Sequence, residues 1–176
     1  MRLKVEEIFV DVDGVLASFY ERYRELYSEL DHPSKNKEKE YNRSNFSDFI
    51  ERQEFRNLSP MPDMYEGIEF LYHILAFHHT LPISILGSVG YIDCFETMVE
   101  QKMYWLRKHD IHFPSIFVAG KKLKKSYAGP GRLLIDDTLV NCQEWGVKGG
   151  IAIHHSSWEK TISKLELCYS GVYYHD

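Results

Sequence analysis

Short apolar runs recur along the chain at residues 8–12, 81–86, 116–118, 133–135 and 151–153, and each closes on small or acidic residues. Brief runs of this kind predict strands buried on both faces, the usual reading of parallel strands. Between them the pattern changes to a helical period. Residues 64–77 place Ile68, Leu71, Tyr72 and Leu75 at three- and four-residue spacing behind Pro62 and Asp63, where a helix would start. Residues 91–108 predict a second long helix. Strand alternating with helix predicts an α/β fold, a parallel sheet with helices on both faces.

The first crossover breaks this rhythm. Residues 19–30 and 44–55 read as helical, separated by a polar stretch at 31–40 that carries Lys35, Lys37, Glu38, Lys39 and Glu40 and predicts a solvated loop or helix end. An insertion here would sit over the carboxyl edge of the sheet, where open α/β folds bind ligands. The expected organisation is a core of residues 1–17 and 62–176, with residues 18–61 forming a small helical cap inserted after the first strand.

Composition narrows the class. A chain of 176 residues can bury one full core but is short for two independent domains. A net charge of -5 argues against extended nucleic-acid binding while still allowing small anionic substrates. Cys94, Cys142 and Cys168 are odd in number and far apart, which points to a reducing compartment rather than a disulfide framework. The charged start lacks the apolar core of a signal peptide, and no run approaches the roughly 18 apolar residues of a membrane span. The expectation is a cytoplasmic protein, with a homodimer left open.

Candidate chemistry begins at Asp11-Val12-Asp13-Gly14-Val15-Leu16. In an extended strand, positions i and i+2 point to one side, so Asp11 and Asp13 can face one small space where the strand ends, and Gly14 lets the backbone turn away. Two acids this close repel unless a cation or a shared proton relieves them. Phosphoryl chemistry on magnesium would give such a pair a task. Ser88 follows a strand and precedes a helix, a place for an anion, although a serine at such a junction also serves as an N-cap. Of the basic cluster Lys121, Lys122, Lys124 and Lys125, one could neutralise charge on a transferring phosphoryl group, Lys124 first and Lys125 second. Asp136 and Asp137 close the run at 133–135. The histidine pairs His78/His79 and His154/His155 lack zinc spacing, and helix or strand ends explain them better.

The order and spacing of these segments resemble the haloacid dehalogenase superfamily of phosphohydrolases, and within it the 5'(3')-deoxyribonucleotidases. The resemblance is carried by Asp-Val-Asp-Gly-Val-Leu-Ala-Ser-Phe near the start, Ile-Leu-Gly-Ser in the middle, and Lys-Lys-Ser-Tyr-Ala-Gly-Pro-Gly-Arg-Leu-Leu-Ile-Asp-Asp later. It continues through Asn141, Trp145 and Gly149-Gly150 to Ile153-His154. It implies a Rossmann-like core and a magnesium-dependent phosphomonoester hydrolase acting on (deoxy)nucleoside monophosphates. Asp11 would be the nucleophile that becomes an aspartyl-phosphate, and Asp13 the residue that moves protons. Asp11, Asp13 through its carbonyl, and Asp136 would hold Mg2+, while Asp137 would hold a metal-bound water or orient the lysine. Ser88 and Lys124 would bind the phosphoryl group, and Phe19 would lie near the base, ahead of Tyr20, Tyr23 and Trp145. The chain departs from the threonine-serine pair frequent in these nucleotidases, reading Gly87-Ser88-Val89. Other readings are a phosphatase for different small phosphomonoesters or for nucleic-acid 3'-phosphate ends, and a non-catalytic nucleotide-binding protein.

Overall fold

The computed structural model describes residues 5–27, 43–77, 81–90 and 92–170. The polar stretch at 31–40, the pair His78/His79 and Tyr91 lie outside them. Five strands, β1 (Glu7–Val10), β2 (Ile83–Val89), β3 (Ser115–Ala119), β4 (Arg132–Asp136) and β5 (Ile151–His154), form one parallel sheet in the order β3-β2-β1-β4-β5. The connections run outward from β1 to β2 and β3, then cross to β4 on its other side. The switch point therefore falls between β1 and β4, where α/β sheets open a crevice at their carboxyl ends.

Side chains of β1 divide the core. Ile8 and Val10 point into a large cluster with Ile83, Ile85, Leu133 and Ile135, covered by helices α3 (Met64–Phe77), α4 (Phe95–Lys108) and α6 (Trp158–Ser170). Phe9, one position out of phase, points the other way to meet Leu86, Leu134 and Trp145 of helix α5 (Leu139–Val147). Helices on both faces thus follow from the period-2 alternation within a run that is apolar throughout. Gly67 lets α3 approach α6 closely, since a Cβ there would fall inside the Trp158 indole.

Element ends differ from the sequence expectation where pairing decides them. β2 continues past Leu86 to Val89 because Ser88 and Val89 pair with Val118 and Ala119 of β3, so Ser88 is a strand residue rather than the residue after a strand. A 3-10 turn, Ile92–Cys94, then separates β2 from α4, which starts at Phe95. Ser88 is therefore not at a helix N-terminus. The strand at 116–118 is an edge strand and only partly buried, because no further strand among the described residues covers β3.

In the segment after β1, helices α1 (Phe19–Leu26) and α2 (Arg43–Glu51) are followed by a 3-10 turn, Glu54–Arg56, entered through Gln53 in the left-handed region at φ 57°. That residue ends α2 before Phe55, short of the expected helix at 44–55. Phe19, Tyr23, Phe46, Phe49 and Phe55 are buried here, in the same apolar cluster as Ile8 and Val10 of the sheet. Glu54 is buried and paired with Arg22 at 2.8 Å. No helix among the described residues is long and apolar enough to cross a membrane.

Candidate active site

Asp11 follows β1 directly, and its N–H still bonds to the Ile135 carbonyl of β4 at 2.9 Å. The chain then winds tightly: Leu16 and Ala17 both donate to the Val12 carbonyl, at 2.8 and 2.9 Å, and Gly14 donates to the Ala17 carbonyl. Gly14 sits at φ 80°, and a Cβ there would collide with the Asp137 carboxylate. Glycine at this position both closes the turn and keeps room for an acid brought in by β4.

Lys124 joins the two strand ends. It comes from a 3-10 turn, Lys121–Tyr127, is buried, and places Nζ 2.7 Å from Asp11 Oδ2 and 2.7 Å from Asp136 Oδ2. Lys125 instead pairs with Glu144 at 3.1 Å, and Lys121 and Lys122 are exposed, Lys121 at the cavity rim. Asp136 is wholly buried. Besides Lys124 it accepts the Thr138 N–H at 2.8 Å and the Asn141 amide, 3.0 Å from each carboxylate oxygen. Asn141 was legible only as part of a motif; the structure gives it a contact, as the group that fixes the Asp136 carboxylate plane.

Asp11, Asp136 and Asp137 bring one carboxylate oxygen each to within 4.8 Å of one another. Burial pushes the Asp11 carboxyl well above the usual range; Lys124 opposes this, while Asp136, Asp137 and Asp13 add to it. Asp137 is pushed up to about 6, by burial first and by Asp136 next. One lysine does not balance three acids, two of them buried and the third half-buried, and an all-oxygen donor set of carboxylates suits a small hard cation such as Mg2+. The residues present therefore fit that ion. Cys142, whose thiol is pushed up to about 12 by burial and by Asp136, is an inert neighbour.

The Asp13 carboxylate is not in that cluster. It turns to Lys102 of α4, whose Nζ lies 2.5 Å from Asp13 Oδ2 and donates to the Ser88 carbonyl at 3.0 Å. Sequence reasoning missed Lys102. Its signal was available: Met98, Gln101, Lys102 and Trp105 share one face of α4, which sets two polar residues inside an apolar stripe.

Asp11, Asp13, Ser88 and Lys124 open onto one cavity of about 280 Å³, walled on the far side by Phe19, Tyr20, Phe46 and Phe55. Phe19 serves packing and lining together, stacked on Phe55 at 5.5 Å between centroids and 8° between planes. Tyr23 is buried in the core, and Trp145 lies on the opposite face of the sheet with its Nε1–H donating to the Arg132 carbonyl, so neither lines the cavity. His154 ends β5, its Nε2 2.9 Å from the Asp137 carbonyl, and His155 pairs with Thr161.

The profile of the family described as 5' nucleotidase, deoxy (pyrimidine), cytosolic type C protein matches residues 4–164. No curated protein matches the chain. A hydrolase from Streptococcus pneumoniae TIGR4 superposes with a TM-score of 0.55 at 14% identity, covering 93% of this chain and 99% of that one. The HAD-hydrolase YfnB of Bacillus subtilis, solved bound to magnesium, superposes with a TM-score of 0.56 at 11% identity, covering 92% and 99%. At such identities the likeness is one of fold.

Proposed function

Because the chain belongs to the 5' nucleotidase, deoxy (pyrimidine), cytosolic type C family, within the haloacid dehalogenase superfamily of phosphatases, we propose that it is a magnesium-dependent hydrolase of (deoxy)nucleoside monophosphates. The observation that carries this reading is the bridge of Lys124 between Asp11 and Asp136, with Asp137 beside them. It assembles a nucleophile, a fixed cation and an acid cluster at the switch point of the sheet.

In the first half-reaction an Asp11 carboxylate oxygen attacks phosphorus and the bond to the substrate oxygen breaks. Asp13 gives its proton to that leaving oxygen, yielding the alcohol and an aspartyl-phosphate. In the second half Asp13 takes a proton from water, the water oxygen attacks phosphorus, and the bond to Asp11 breaks to release inorganic phosphate. Lys124 neutralises charge on the transferring group through both halves, and Ser88 contributes at the phosphoryl oxygens. Asp11, Asp136, Asp137 and the Asp13 carbonyl would hold Mg2+, which supplies charge neutralisation and alignment of the phosphoryl oxygens.

The aromatic wall and the cavity size support a small substrate with a flat ring, since about 300 Å³ is the lower end for small-molecule pockets. A panel of nucleoside monophosphates and other phosphomonoesters, assayed with and without Mg2+, tests the reading. Magnesium-dependent phosphate release is expected from the wild type and at least about 10³-fold less from Asp11→Asn. Phosphate release that persists undiminished in Asp11→Asn would refute the covalent route. Release from sugar phosphates but from no nucleotide would refute the substrate class.

A further inference from the structure

The proposed chemistry leaves a second buried lysine without a task. Lys102 is 1% exposed, with Nζ on Asp13 Oδ2 and the Ser88 carbonyl and 4.8 Å from the centroid of the Phe55 ring. A lysine this deep is costly unless its charge is met, and the acid that meets it is Asp13. The two oxygens of that acid are thereby made unequal. Oδ2 is taken by Lys102, while Oδ1 is buried with no hydrogen-bond partner among the described residues, in a side chain that lines the cavity with Asp11.

The helix that carries Lys102 is itself pinned. One residue earlier, Gln101 Nε2 donates to the Ile50 carbonyl at 2.8 Å, and three residues later Trp105 Nε1 donates to the Leu58 carbonyl at 2.8 Å. An ammonium held by a helix so anchored restrains the carboxyl it binds, and errors of about 1 Å in such a group can cost about 10²-fold in rate. Resting on the phosphatase reading above, we propose that Lys102 is a positioning residue: by holding Oδ2 it fixes the orientation of the Asp13 carboxyl that exchanges the proton with the leaving oxygen and then with water. Lys102 itself neither gives nor takes that proton.

The test is kcat/KM, which covers cleavage of the substrate P–O bond, for an alkyl phosphomonoester and for 4-nitrophenyl phosphate. The alkyl leaving group needs a proton and 4-nitrophenolate hardly does. Wild type, Lys102→Met, Asp13→Asn and the double variant are compared. Lys102→Met is expected to lose about 10²-fold on the alkyl ester and less than about 10-fold on the nitrophenyl ester. Added to Asp13→Asn it should change neither by more than about threefold, because its effect passes through Asp13. Equal losses on the two esters by a folded Lys102→Met, or a further loss when it is added to Asp13→Asn, would overturn the proposal. If Lys102→Met does not fold, the double variant, which strands no buried charge, decides against Asp13→Asn alone. A wild type inactive on both esters would remove the phosphatase reading and this proposal with it, whereas equal losses from an active wild type remove this proposal only.

Discussion

At the scale of residues, the site is a problem of excess negative charge. Asp11 and Asp136 share one lysine, and Asp137 pairs with none among the described residues. Magnesium should therefore stabilise the folded protein through these acids, whatever the substrate. We expect the thermal midpoint to rise on adding Mg2+ and the rise to vanish in Asp136→Asn. An equal rise in the variant would place the ion elsewhere. Asp11, Asp13, Asp136 and Lys124 were all legible because each lies in a short string whose chemistry is local: acids at strand ends, a lysine cluster ahead of an acidic pair. Lys102 was not, because its partner is 89 residues away in sequence and the pairing exists only once α4 packs beside the end of β1. Its place on an apolar helix face was the one clue.

At the scale of elements, strand and helix identities were legible from apolar runs and the helical period, and α3 was expected with the bounds it has. Ends were not, where a neighbour sets them: pairing with β3 carries β2 through Ser88, and the conformation of Gln53 stops α2. The junction of β5 with α6 holds a buried histidine. His155 is 4% exposed, its Nδ1 2.9 Å from Thr161 Oγ1. Burial lowers its pKa below the ordinary value; Asp63 opposes this and His154 adds to it. The unfolded chain takes up this proton near about 6.5, the folded chain only at lower pH. The contribution is thus complete above the unfolded value and is lost as the pH falls towards the folded one. The thermal midpoint of wild type relative to His155→Gln should be higher at pH 7.5 and converge at pH 5. A gap independent of pH would show that the ring does not titrate differently on folding.

At the scale of the whole molecule, an apolar cluster runs unbroken from the sheet face through α3, α4 and α6 into the aromatic residues of α1, α2 and the turn at Phe55. Phe55 is 1% exposed, yet it also lines the cavity, stacks on Phe19 and lies beneath Lys102. Phe55→Ala should lose about 3–5 kcal/mol in chemical denaturation and raise KM for the substrate in the same protein. Lost stability with KM unchanged would mean that the wall of the cavity does not touch the ligand.

The continuity of that cluster has an evolutionary side. A lid with its own core can be exchanged for another while the machinery beneath stays intact. Here the wall of the cavity is also interior structure, so drift that reshapes the cavity must pass through sequences that fold less well. Selection on this lineage can remodel that wall only as fast as mutations elsewhere restore the stability lost.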